Sequence, residues 1–288
     1  VQHAARSMLT LTATAVLAGP AVLVLVVTVV TAPLVEGAGA PPSITDRDRL
    51  VIGVKDDQPG LSQRARDGSC AGFDVDVATY VAGRLGVAPK DLTFRALSSD
   101  ERENALRRGT VDMVVATYSI TPERKDRVTF AGPYYVAPQD ILVRQGERSI
   151  RTVRDLRGKK LCQVAGSNSW RRVTEERKVD ATLVPAGSYA ACVEALAAGR
   201  LDAVSTDDLI LAGFAATPGS RVAVVNAPFS DERYGIGLPE GDLEGCRAIN
   251  RILTGMYQNG AAETLLGQWF TTSGLDTTIT VPQFEGCS

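Results

Sequence analysis

The skeleton A-L-x-x-G-x-x-D-x-V occurs at residues 105–114 and returns ninety positions later, at 195–204. In each copy a stretch with helical apolar spacing runs into a glycine, and an apolar segment follows. That order reads as helix, turn, strand. The first copy continues into hydroxyls and a base, "ATYSITPER", and the second into two carboxylates, "STDD". A chain that repeats this unit at such a distance has to build two α/β units of similar plan.

The segments around the repeat agree. From residue 49, "RLVIGVK" predicts a strand, and residues 72–87 predict a helix with Phe73, Val77, Tyr80 and Val81 on one face, ending at Gly86. "LTFRAL" predicts a strand, "SSDERENALRRG" a helix opened by a Ser cap, and "VDMVVATYS" a buried strand. After "QDILVRQG" the pattern restarts: strand "KKLCQVAG", Ser-capped helix "SNSWRRVTEERK", strand "ATLVPAG", helix "SYAACVEALAAGR", strand "LDAVSTD", helix "DLILAGFAA" and strand "RVAVVN". Helices over 242–259 and 260–270 close the chain. Strand–helix alternation predicts parallel α/β units, with the second inserted into the first. Ligands of open α/β sheets sit beyond the carboxyl ends of the strands. If those ends face one another, Thr117 and Ser119 meet Asp207 across a cleft.

Several functions are excluded early. The only histidine among 288 residues is His3, ahead of the folded body. This removes His-based acid–base chemistry, Ser–His and Cys–His nucleophiles and His-containing metal sites. There is no P-loop, G-x-G-x-x-G or G-x-S-x-G, and no C-x-x-C pair among the five cysteines. No metal, cofactor or catalytic residue is expected. A formal net charge of −2 offers no basic footprint for nucleic acid.

Residues from Ser7 to Val35 carry no charge, with Arg6 before them and Glu36 after. The run exceeds the about 20 residues of a membrane span, and its positive end places the remainder outside the cytoplasm. "AGA" at 38–40 has the small residues of a cleavage site, but Pro41 and Pro42 follow it. The expectation is a retained membrane anchor over 1–40, with a cleaved signal as the alternative. Residues 36–48 are then expected to form a flexible tether, of which 41–48 are the linker.

On "GFDVDVA", "VDMVVATYSITPER", "FAGPYY", "DLRGKKLCQVAGSNS" and "ALAAGRLDAVSTDD", the chain resembles the type II periplasmic binding proteins, specifically solute-binding protein family 3, over residues 49–270. "DQPG", "AGPYYVAPQDILV", "TDDLILAG" and "ERYGIGLP" resemble its glutamate-binding branch. The resemblance implies two α/β lobes joined by two crossing strands, with ligand in the cleft. The first lobe takes 49–140 and 231–288, and the second takes 141–230. Hinges fall near 139–146 and 226–235. It also implies an extracytoplasmic receptor that closes on glutamate or aspartate and delivers it to the permease subunits of an ABC importer.

Residue by residue, Arg124 is expected to take the ligand α-carboxylate by its planar fork, flanked by Thr117 and Ser119. Asp207 is expected to take the α-ammonium, while Asp208 caps the next helix. Ser167 and Asn168 follow Gly166 at a helix start, where N–H groups favour an anion. Lys55 and Arg102 correspond to basic residues that hold a side-chain carboxylate in acidic-amino-acid binders, and Asp57, in the same loop as Lys55, is expected among the ligand-binding residues. That loop, "KDDQPGL", has no aromatic residue to stack on a large apolar ligand. The resemblance also implies a Cys162–Cys192 bridge. Cys70, Cys246 and Cys287 leave an odd count, with Cys246–Cys287 the candidate second pair. A ligand-sensing domain of a signalling protein, a receptor for a neutral amino acid such as glutamine, and an enzyme on the same fold remain open.

Overall fold

Strand β1 (Leu50–Val54) pairs in parallel with β5 (Leu92–Ala96) on one side and β6 (Met113–Val114) on the other. These coordinates form a computed structural model describing residues 42–275 and 280–287. The charge-free run and the membrane contact expected of it lie outside those residues. Among the described residues no helix is long and apolar enough to cross a membrane.

Between β1 and β5 lie three short strands, β2 (Asp57–Gln58), β3 (Ser62–Arg64) and β4 (Cys70–Ala71), in a small antiparallel sheet, then helix α1 (Phe73–Arg84). Helix α2 (Arg102–Arg107) precedes β6, and α3 (Pro122–Lys125) follows it. Strand β7 (Thr129–Arg144) carries the chain onward into β8 (Lys160–Val164), α4 (Ser169–Arg171), β9 (Thr182–Ala186) and α5 (Tyr189–Ala197). Next come β10 (Val204–Asp207), α6 (Asp208–Ala215), β11 (Val222–Val224) and β12 (Ser230–Leu238), which returns to the first half. Helices α7 (Leu243–Gln258) and α8 (Ala261–Phe270) follow.

The two long strands explain the architecture. β7 and β12 pair antiparallel from Ser230↔Gln139 through Tyr234↔Tyr135 to Leu238↔Thr129. One end of β7 carries β10 and β11, while β12 leads to β6, β1 and β5, giving the order β10-β7-β12-β6-β1-β5. The sheet is therefore mixed rather than parallel. Parallel pairing joins β1 with β5 and β6, and β8 with β9, with a single parallel bridge from Leu161 to Ala203, just ahead of β10, while the two crossing strands run in opposite directions.

Both copies of the repeat fold alike, for the same reasons. Gly109 and Gly199, at φ 62° and 75°, end α2 and α5. Thr110 N–H then bonds the Ala105 carbonyl and Arg200 N–H the Ala195 carbonyl, closing the same helix-terminating motif twice. Asp112 accepts from the amide of Val51 at 2.7 Å, and Asp202 from the amide of Lys160 at 2.8 Å. Each repeat Asp thus ties its strand to the start of its parallel neighbour.

Some local expectations are corrected. The stretch predicted as a buried strand after Asp112 pairs regularly only at Met113–Val114, although residues up to Ile120 stay buried. The helix from Ser169 is short and passes into a π-helical turn, Arg172–Glu176. No serine caps α2; Glu101 precedes it and accepts from Ser98 instead. Asp208 is the first residue of α6 and not its N-cap, which is Asp207; its carboxylate takes the Tyr135 hydroxyl and the Leu209 amide of the helix's own first turn. The expected tether is not free to its end. Ile44 is buried, and Ser43 and the Ile44 amide bond Asp242, the residue that caps α7.

Candidate ligand-binding site

The carbonyl oxygen of Gly166, from the turn after β8, lies between two guanidinium groups of the other half. Arg124 Nη2 donates to it at 2.7 Å and Arg102 Nη2 at 3.1 Å. A Cβ on Gly166 would overlap the backbone of Asp100, so only glycine lets the two halves approach this closely. Behind this contact is a small cavity of about 10 Å³, lined by Ser99, Arg102, Thr117, Ser119, Arg124, Ser167, Asn168, Ser169, Tyr189, Asp207 and Ile210. That is room for about one water, so admitting a larger molecule requires the walls to part.

Both arginines are buried and held rigidly. Arg102 donates from Nε to the Ser99 carbonyl at 2.9 Å and from Nη1 to Ala116 at 3.0 Å. Arg124 donates from Nη1 to the Ser119 carbonyl at 2.6 Å and pairs through Nε with Glu103 at 3.4 Å. Both guanidiniums lie against the Tyr118 ring, 4.3 and 5.0 Å from its centroid, a favourable cation–π arrangement. Burial, with Arg102 close by, lowers Arg124 to about 10.

Thr117 and Ser119 are positioned by the chain after β6. Thr117 sits at φ 44°, unusual for a β-branched residue. Its amide is held by Asp74 Oδ2 at 2.9 Å, whose Oδ1 takes the Tyr134 hydroxyl at 2.7 Å. Burial raises the Asp74 carboxyl to about 7. Asp207 ends β10 from the opposite half. Tyr234 donates to its Oδ2, while its buried Oδ1 has no partner. Burial holds this carboxyl well above the usual range, and the nearby Glu232 charge raises it further.

Seven of the residues expected from sequence, Arg102, Thr117, Ser119, Arg124, Ser167, Asn168 and Asp207, line the one cavity. Lys55 and Asp57 do not. Lys55 lies behind the wall, donating to the Leu97 carbonyl and, at 3.3 Å, to the hydroxyl of the lining residue Ser99. Burial, then the neighbouring Arg102 charge, lowers its ammonium to about 8. Asp57 faces α5, accepting from the Ala190 amide. The Ser167 amide is spent on the Val164 carbonyl, so it is not a free donor at a helix start. Its hydroxyl pairs with Tyr189 at 2.7 Å. Asn168 donates to Glu232, which also takes Arg172 Nε. Ser99, Ser169, Tyr189 and Ile210 on the wall, and Tyr234 and Glu232 behind it, carried no sequence signal. "ERYGIGLP" marked the last two only as part of a motif.

Two mixed α/β halves joined by paired crossing strands, with two guanidiniums and a carboxylate lining one small cavity, have the form of a solute-binding protein. Residues 50–272 match the bacterial extracellular solute-binding proteins, family 3, and the chain belongs to that family. It is a family of binding proteins, not of enzymes, and its location is extracytoplasmic. The glutamate-binding protein GluB of Corynebacterium efficiens is 38% identical over 241 residues, covering 80% of this chain and 82% of the relative. That of Corynebacterium glutamicum is 41% identical over 225 residues, covering 75% and 76%. The ABC transporter glutamine-binding protein GlnH of Bacillus subtilis is 34% identical, covering 79% and 83%. Among solved structures, an ancestral arginine-binding protein bound to arginine superimposes with a TM-score of 0.71 at 32% identity, over 78% of this chain and 99% of that one. Cys162 is joined to Cys192 and Cys246 to Cys287, and Cys70 is free.

Proposed function

We propose that the protein is the extracytoplasmic receptor of an ABC importer and that it binds an acidic amino acid, glutamate or aspartate, by closure of its two halves. The observation that carries this reading is the charge balance of the cavity wall. Arg102 and Arg124 contribute two positive charges against Asp207 and Glu103, which pairs with Arg124, so the positive charge in excess is that of Lys55. Lys55 stands directly behind. A ligand with two carboxylates and one ammonium neutralises that excess; a cationic amino acid adds to it. Desolvated charges tolerate no such mismatch. The Gly166 carbonyl, which accepts from both guanidiniums, marks where the carboxylates of a ligand would gain charge-assisted bonds, one from each arginine. The unpartnered Asp207 Oδ1 offers the acceptor an ammonium needs.

The glutamate-binding relatives support the acidic reading, and the glutamine-binding relative favours a neutral amide as the second one. Calorimetric titration of the full chain with glutamate, aspartate, glutamine and arginine separates them. Tighter binding of glutamine than glutamate would transfer the assignment to the amide, and binding of none would end both. The segment over 1–40 is read as the anchor that holds the protein at the outer face of the cytoplasmic membrane. Full-length protein in its host then stays in the membrane fraction after a high-salt wash, whereas a soluble form beginning near residue 41 would make the segment a cleaved signal.

A further inference from the structure

The turn after β1 meets the other half through Asp57 and Pro59, while Gln58 between them takes the hydroxyl of the wall residue Thr117 at 3.3 Å. Asp57 Oδ2 accepts from the Ala190 amide at 3.2 Å. Ala190 is the second residue of α5, whose N-cap Ser188 takes the next amide, that of Ala191. A carboxylate of one half therefore satisfies an N–H of the other that the helix itself leaves open, at the helix end that favours negative charge. Two residues on, Pro59 meets α6. A Cβ on Gly213 would overlap the Pro59 carbonyl oxygen, so this glycine makes room for the turn. Neither contact includes a residue of the cavity wall.

We propose that residues 57–60 form a closure latch, with Asp57 and Gly213 as affinity-setting positions that touch no ligand. The proposal rests on the reading that ligand binding closes the halves. Apparent affinity scales with the fraction of protein in the competent state. A contact made only when the halves meet raises that fraction for every ligand alike. A contact to ligand would instead discriminate by side chain.

The test uses the full chain, with glutamate, aspartate and glutamine as probes. Asp57→Asn keeps the shape and removes the charge. It should weaken all three by one common factor of about fivefold, the scale of a lost capping carboxylate, mainly through faster release. Hydrogen exchange at the Ala190 amide should accelerate. Gly213→Ala replaces glycine with a better helix former, so the melting temperature should hold or rise while the three affinities fall together. A loss confined to the acidic ligands would overturn the latch and make Asp57 a ligand contact. Unchanged affinities in Asp57→Asn would overturn it too. If the unmodified chain binds no amino acid, the proposed function fails by itself. The latch is then judged on Ala190 exchange, and an unchanged rate in Asp57→Asn refutes it.

Discussion

The hydroxyl of Tyr234 donates to Oδ2 of Asp207 at 2.7 Å, and the other oxygen of that carboxylate is buried without a partner. Tyr234 belongs to crossing strand β12 and Asp207, a residue of the cavity wall, to the end of β10, so the crossing strand orients the carboxylate and leaves its other oxygen able to accept. An ammonium there completes the pair and lowers the raised carboxyl. Removing one partner of a buried charge pair costs about 3–5 kcal/mol. Asp207→Asn should therefore weaken glutamate and glutamine equally, by on the order of a hundredfold or more. Tyr234→Phe should weaken both by a smaller common factor. Calorimetry that found either change selective between the two would remove Asp207 from the α-ammonium.

Cys162 and Cys192 lie on β8 and α5 with their Cα atoms 5.8 Å apart, and Cys246 and Cys287 tie the C-terminal residues to α7. Non-reducing peptide mapping should recover both pairs joined, with Cys70 the one thiol open to alkylation after denaturation. Closing a loop of the Cys162–Cys192 length contributes roughly 3–4 kcal/mol. Cys162→Ala with Cys192→Ala should lower the denaturation midpoint accordingly. Recovery of either cysteine of that pair alkylated without reduction would refute the bridge.

The repeat made the larger plan legible. The glycines at 109 and 199 end their helices by local bonds, which leave a sequence pattern, whereas the aspartates at 112 and 202 bond amides 61 and 42 residues away and stand out only because the pattern occurs twice. The cavity's ionic members were legible for a different reason: Arg102, Arg124 and Asp207 stand in or beside motifs that resemble those of the family. What stayed hidden depends on partners distant in the chain. Lys55 directly follows a strand, but its burial is set by Leu97 and Ser99. Asp57 looks like a ligand contact until α5 is placed opposite it. Strands β2, β3 and β4 are too short to show a period. Asp208 resembles a helix cap in sequence, and the Tyr135 hydroxyl takes it elsewhere. Cap, strand and ligand roles share the same residue types, and tertiary contacts choose among them.

Lys55 makes a pH prediction. Burial lowers its ammonium from 10.5 to about 8. Between those values the unfolded chain binds more protons than the native protein, so the Lys55 contribution to stability rises with pH through that window. Below about 8 both states are protonated and the burial cost is felt in full. Lys55→Met should flatten this part of the stability profile. A ligand side-chain carboxylate nearby would restore the proton. Near pH 8–9, glutamate binding should then take up protons and glutamine binding fewer, read from the dependence of the calorimetric enthalpy on buffer ionisation. Equal uptake for both ligands would place the side-chain carboxylate away from Lys55.

On the proposed function, selectivity rests on a division of labour between the two arginines that share the Gly166 carbonyl. The α-carboxylate is common to all amino acids, so Arg124→Met should weaken glutamate and glutamine together. A second carboxylate needs its own cation once desolvated, and Arg102 faces the cavity from the side backed by Lys55. Arg102→Met should therefore weaken glutamate by on the order of a hundredfold and glutamine far less. The Ser99 and Ala116 carbonyls that Arg102 now satisfies lose their donor in this variant, so a lower melting temperature is expected. The glutamate-to-glutamine ratio is the informative quantity, because a general loss of stability moves both ligands alike. Arg102→Lys retains the charge without the planar fork and should recover part of that ratio. An unchanged ratio in Arg102→Met would show that the arginine serves the fold of the wall and does not read the ligand side chain.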